Sequence, residues 1–379
     1  MGQSRVIARV MRAMCVLLSA ILLFLLIRAY SDRGMLWLVP YLKWEFSTPI
    51  DREQIACPQD IVLAVVCPIT AETDTIAMEQ GLDSLAGVIS NYTDSDSSIF
   101  RITFASRADS TRLKLLSDFC KSGLGEVEYL LRSEFDTAFD AGQMLDDDLD
   151  ILKSFGWAKT VDSEVCFTVL RERPVSLRLD REICSSLSQL AAQGCYFDLS
   201  ESDRHSTSRL TSVNSIYLVS TRLDDAGLYS DKYELVAGKL GRGRLLVIDS
   251  PLLIDWSDWR DVYVPFVDDG KLTPGILADS RRVSSWIRAD VHVTGQPNWI
   301  FVKLVIDSLL NVEPASHLIA SIDRMLEYLQ RLPNDGQYRV HFVTAREMYN
   351  IARAAEAGMS GNADDFRDYL IKPYSTSSR

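Results

Sequence analysis

Trp299-Ile-Phe-Val-Lys-Leu-Val-Ile-Asp-Ser308 is a continuous apolar run of strand length with one lysine, Lys303, inside it. A run that is apolar at every alternating position reads as a strand buried on both faces, the habit of parallel sheets covered by helices. The polar turn Gly295-Gln296-Pro297-Asn298 leads in, and Asp307 closes the run. In β/α barrels chemistry collects where such strands end. The residues from Val305 to Ser308 therefore bear on whether the chain is an enzyme or a scaffold.

Working outward, similar runs recur at 61–67, 99–104, 127–131, 165–170, 196–199, 216–219, 245–248 and 338–343. They alternate with helical patterns that end at Ile89 or lie near 112–121, 141–155, 181–192, 280–289 and 316–332. The alternation predicts an α/β chain, a distorted (β/α) barrel of about seven to eight strands. An open doubly wound sheet is the alternative, but no G-x-G-x-x-G follows the first strand to support nucleotide binding. Thr344-Ala-Arg-Glu347 reads as a capping box opening a last helix that Gly358 stops. Gly241-Arg242-Gly243 reads as a hairpin turn.

The 379 residues are 47% hydrophobic and 24% charged, with a net charge of -12. That supplies a core for one large domain, placed at 59–374. The acidic balance and the lack of a long basic run argue against nucleic acid as a partner. The four histidines, 205, 292, 317 and 341, form no local pair of the zinc-chelating kind. Cys57, Cys67, Cys120, Cys166, Cys184 and Cys195 include no C-x-x-C. Disulfides and small buried thiols both remain open for them. Residues 1–34, with Arg5, Arg9 and Arg12 ahead of the apolar stretch Ala13 to Ile27, predict one N-terminal transmembrane helix with a basic flank. Its orientation places the globular domain outside the cytoplasm, as a single-pass inner (plasma) membrane protein. Residues 35–58 carry the aromatic run Met35 to Trp44, which either lies along the membrane surface or packs on the domain.

The predicted strand ends gather Arg132, Arg171, Asp198, Asp249, Asp307 and Thr344. A carboxylate there can serve as general base or as ligand to a hard cation. Each one alone is more often a helix cap or an ion-pair partner. Several together mark a polar cleft, because buried carboxylates are costly unless used or paired. Asp198, Asp249, Asp307 and His341 are accordingly the candidate catalytic residues; His341, late in its strand, reads either as facing the interior or as a core histidine. Arg132, Arg171 and Lys303 are the candidate substrate-binding residues, the arginines through charge-assisted bonds to an acidic sugar.

A further set of motifs occurs in order: Gly125-Glu-Val-Glu128, Asp136-Thr-Ala138, Gly194-Cys-Tyr-Phe-Asp198, Val213-Asn-Ser-Ile-Tyr217, Gly295-x-Pro-x-Trp299-x-Phe-Val-Lys-Leu304, His341-Phe-Val-Thr-Ala-Arg-Glu-Met-Tyr-Asn350 and Ala354-Ala-Glu-Ala-Gly358. Together, over roughly residues 120 to 360, they resemble the bacterial polysaccharide deacetylase-like proteins, whose fold is a distorted β/α barrel. The resemblance implies histidines after Glu126-Val-Glu128 and after Lys303-Leu304, where they would hold a divalent metal whose activated water attacks an acetamide. Here those segments read Tyr129-Leu-Leu-Arg-Ser133 and Val305-Ile-Asp-Ser308, with no histidine. The expectation is therefore a catalytically degenerate protein of this kind, without cofactor or metal site, that binds a polysaccharide or a polysaccharide-assembly protein. An active deacetylase with a rearranged carboxylate site, and a divalent metal in that case only, is the alternative. A third option is a structural subunit that acts through its membrane helix.

Overall fold

The computed structural model describes Ser19 and residues 37–47, 55, 57–70, 74–107, 109–131, 138–161, 164–171, 194–200, 212–219, 232–241, 245–258, 265–306 and 314–373. They divide into one unit of residues 1–48 and 202–213 and a larger one of 49–201 and 214–379. In the first, Trp37, which precedes helix α1 (Leu38–Glu45), meets Tyr41 of the helix edge to face with ring centroids 6.0 Å apart, and Tyr41 donates to Glu45 at 2.8 Å. Apart from Ser19, the expected membrane anchor, residues 1–34, lies outside the described residues. Among those described, no helix is long and apolar enough to cross a membrane.

The larger unit begins with β1 (Gln59–Ile69), α2 (Thr75–Ile89), β2 (Ile102–Ser106), α3 (Ser110–Phe119), β3 (Gly125–Leu131) and α4 (Ala138–Ser154). The middle of the unit is strand-rich: β4 (Lys159–Val161), β5 (Glu164–Arg171), β6 (Cys195–Asp198), β7 (Ile216–Val219), β8 (Lys232–Glu234) and β9 (Leu245–Ile248). A hairpin of β10 (Leu253–Asp255) and β11 (Phe266–Asp268), then β12 (Lys271–Leu272), leads to α5 (Ser280–Arg288). The chain closes with β13 (Trp299–Ile306), α6 (Pro314–Arg331), β14 (Tyr338–Phe342) and α7 (Ala345–Glu356). Local chemistry sets the helix starts. Asp74, Asp109 and Asp279 accept backbone N–H bonds at the first turns of α2, α3 and α5. The expected capping box is present at α7, where Thr344 N–H donates to Glu347 Oε2 at 3.0 Å and Glu347 N–H to Thr344 Oγ1 at 3.4 Å.

The strands form one large, mostly parallel sheet in the order β12-β13-β1-β2-β3-β5-β6-β9-β7-β8. The sheet departs from an all-parallel barrel at β4, which pairs antiparallel with β5, and in two further features. Strand β7 runs antiparallel to both β9 and β8, and among the described residues the ladder does not close on itself. The long β1 has β13 along one edge, while its other edge is shared. Residues 59–63 pair with β14 and residues 65–69 with β2, both in parallel. One face of the sheet is apolar: Ile61, Leu63 and Val65 of β1 and Ile300, Val302 and Leu304 of β13 join Met78 and Leu85 of α2 and Leu318, Ile322 and Met325 of α6 in a single core. By strand alternation Thr103, Glu126, Glu128, Thr168 and Lys303 belong to the other face, and all are buried.

On that polar face lies α7, buried along nearly its whole length. Its turns meet successive strands. Ala345 N–H donates to Thr103 Oγ1 of β2 at 2.8 Å, Arg346 pairs with Glu126 of β3 at 3.0 Å, and Tyr349 packs its ring 4.5 Å from that of Tyr196 on β6. At the far end Glu356 Oε1 accepts from Gly241 N–H at 2.8 Å, in the connection between β8 and β9. The Arg346 guanidinium also donates to Asp368 and to the Ile371 carbonyl, both at 2.8 Å, so the segment after the helix is bound into the same network. Burial alone would weaken the charge on Arg346, but Glu126 and Glu347 outweigh it and hold the guanidinium more firmly protonated than usual.

Replacing Arg346 by alanine leaves the buried Glu126 without its cation. We expect a loss of roughly 3 to 5 kcal/mol in urea unfolding, the cost of breaking a buried pair on one side. Glu347 supplies a pH test. Burial raises its carboxyl, yet Arg101, Arg367 and Arg346 together hold it below the usual range. A depressed carboxylate contributes stability that is present above its unfolded value, about 4.3, and is lost as pH falls through the folded value. Stability should therefore drop below about pH 4.3, and Glu347→Gln should flatten that part of the profile.

Candidate functional site at the strand ends

Lys303 is the centre of the site. It lies mid-strand in β13, beside Ala64 of β1, and has no exposed surface. Its Nζ donates to the carbonyls of Leu199 and Ser200, each at 3.0 Å, just beyond β6. Strands β1, β2, β3 and β5 stand between β13 and β6 in the ladder. In a flat sheet the two would be about 24 Å apart at roughly 4.8 Å per neighbour, far beyond the reach of a lysine. The sheet must therefore curl until the end of β6 faces β13 across its polar face.

Asp198 and Asp249 end neighbouring strands around this lysine. Asp198, the last residue of β6, is buried and accepts the Ser200 N–H at 2.9 Å, which bends the chain so that the two carbonyls turn toward Lys303. Asp249 directly follows β9 and is also buried. It accepts from Ser215 N–H at 3.1 Å, Ser215 Oγ at 3.2 Å and Tyr217 OH at 3.4 Å, groups that β7 can offer because it runs antiparallel alongside. Burial pushes the Asp249 carboxyl above the usual carboxylate range, opposed by Lys232, the Ser215 amide and Lys303. Gly270 packs between Ser250 and Lys303. Its φ is +74°, and a Cβ there would meet Ser250 Cβ at 3.1 Å and the Lys303 carbonyl at 3.3 Å.

Three residues that sequence reasoning passed over belong to this region. Glu128 Oε2 accepts from Thr168 N–H at 3.2 Å, while Thr168 Oγ1 and Ser250 Oγ are buried without a hydrogen-bond partner. Glu128 left a legible signal, since carboxylates at 126 and 128 stand in a strand buried throughout. The hydroxyls left none.

The structure brings together Asp198, Asp249 and Lys303. His341 is not among them. It stands beside Val62 near the start of β1, whereas the register through Val169, Tyr129 and Ser106 carries Asp198 to the level of Ile69 at its end. About 23 Å of strand separates those levels. The physical reason is that β14 pairs with only the first half of β1, so its residues lie at the opposite end of the sheet. Asp307 and Arg132 lie outside the described residues, and of Arg171 only the strand backbone is described. Leu130 and Val305, two positions where the resemblance implies histidine, are buried.

No family model matches the chain, and no curated protein matches it. Among solved structures, 4-alpha-glucanotransferase from Thermococcus litoralis aligns with a TM-score of 0.39 and 11% identity over 77% of this chain. The chain covers 40% of that protein's length.

Lys303→Met would orphan two carbonyls at the end of β6. The expected cost is roughly 2 to 4 kcal/mol by urea unfolding, from buried acceptors left without a donor. A lysine serving only a substrate would leave stability unchanged.

Proposed function

We propose that this chain is a membrane-anchored, catalytically degenerate polysaccharide deacetylase-like protein. It acts in polysaccharide assembly outside the cytoplasm by binding glycan or an assembly protein. The domain is read as a distorted β/α barrel opened on one side, and what supports that reading is the reach of Lys303 across the curl to the end of β6. The observation that carries the loss of chemistry is the state of the strand-end polar groups. Lys303 is bound to main-chain carbonyls, Asp198 to its own turn, and Asp249 to Ser215 and Tyr217, all buried. Groups that satisfy one another inside the protein hold strands in place. They do not stand ready to move a substrate proton.

One observation favours the alternative of an active hydrolase. The Asp249 carboxyl, raised by burial, resembles a general acid poised to donate a proton, and the unpartnered hydroxyls of Thr168 and Ser250 are available to a polar ligand. The two readings separate in one assay. The purified full chain is offered acetylated polysaccharides while acetate release and binding heat are recorded. Binding of a glycan or capture of an assembly protein, without acetate, is the expected outcome. Acetate release that Asp249→Asn abolishes would establish the hydrolase instead, and neither binding nor capture would sink the proposal.

A further inference from the structure

His341 has no exposed surface, and neither of its ring nitrogens makes a hydrogen bond. Carboxylate oxygens are close. Asp96 Oδ2 is 2.9 Å from Nδ1 and Asp60 Oδ1 is 3.2 Å from Nε2. They do not lie along the directions a ring nitrogen uses, so the contacts are close approaches without a hydrogen bond. A buried imidazole in that condition costs stability unless something else occupies its lone pair.

The surroundings suggest what that is. Asp60, Asp94, Asp96 and Asp364 converge on His341, while the cations among them are Arg339, which pairs with Asp60, and Arg367, which pairs with both Asp94 and Asp364. Glu347, at 3.4 Å from Arg367, is matched separately by Arg101 and Arg346. Around the histidine, then, four carboxylates face two guanidiniums, an excess that one divalent cation would cancel. One ligand atom each from Asp94, His341 and Asp364 lie within 4.8 Å of one another. An imidazole nitrogen with two carboxylate oxygens is a donor set suited to zinc and similar borderline ions, and water can complete the shell.

We propose that Asp94, His341 and Asp364 bind a divalent metal of the zinc class. The site lies toward the start of β1, far along the strands from Asp198, which stands at the level of Ile69, and its role is structural. It would clamp the turn at Asp94 and the short helix Ala363–Phe366 onto the start of β1 and β14. Binding requires neutral imidazole and displaces no hydrogen bond from His341.

The test uses the full chain, stripped with EDTA, then dialysed against zinc and assayed by elemental analysis and thermal melting. One zinc per chain and a zinc-dependent rise in melting temperature are expected. Both should be lost, with affinity at least tenfold weaker, in His341→Gln and in Asp364→Asn. Asp364 is partly exposed, and its variant should melt in EDTA like the wild type, which separates lost binding from lost folding. Cobalt loaded in place of zinc gives a readout that needs no variant, a visible band without thiolate charge transfer. Failure to retain zinc, equal zinc in wild type and variants, or a cobalt spectrum with thiolate character from the cysteines would each overturn the proposal.

Discussion

The arrangement depends on a guanidinium taken almost entirely out of water. Arg346 is 1% exposed and meets Glu126, Glu347, Asp368 and the Ile371 carbonyl. Removing such a charge from solvent is expensive, and the interior returns that cost only if its donors find acceptors in good geometry. Here the acceptors come from β3, from the helix itself and from the segment after it. No one of these pieces can be displaced without stranding charge in the others. Asn350 extends the same grip one turn further along α7, donating to the carbonyls of Arg367 and Ile371 and accepting from the amides of Leu370 and Ile371. The C-terminal segment is thereby fastened to the helix, with Ala363, Arg367 and Ile371 buried.

This constraint explains why α7 can be buried on almost every side while carrying Arg, Glu and Asn at its start. An ordinary covering helix has one apolar stripe and one wet face. Helix α7 instead lies on the polar face of a curled sheet, so its polar residues meet strand residues where water would otherwise be. The shared edge of β1 makes this possible. Because β14 occupies only the first half of that edge, the chain leaves it beside β2 and turns directly onto the polar face, with the Val343 N–H bonded to the Leu63 carbonyl at the exit.

Much of the fold was legible because its strands are buried on both faces and so appear as unbroken apolar runs. The segment 299–308, the runs at 127–131 and 245–248, and the capping box at Thr344 all stand close to where the residues placed them. Direction was not legible. Ile216–Val219 is as apolar as its parallel neighbours, and nothing in four apolar residues states that it runs the other way. Short pairs such as β10 with β11 were missed because partly exposed strands of three residues leave no periodic signal. Of the site, Asp198 and Asp249 were found by the rule that polar residues end buried strands. His341 was drawn into the same set because alternation reveals which face a residue takes but not its level along the strand. That level is set by register, and register here follows from a partner shared between β14 and β2.

The two buried polar clusters of the sheet therefore differ in kind. At the strand ends, the lysine and the carboxylates have donors and acceptors drawn from the protein itself, and the lysine links β13 to β6 as a strut across the curl. At the other end, carboxylates outnumber guanidiniums around a histidine with no hydrogen bond. The groups standing at the strand ends stabilise the curl, and a stabilising role constrains them differently from a catalytic one. A strut needs length and burial, whereas a catalytic group needs access to a substrate. Lys303, with no exposed surface, meets the first requirement and not the second.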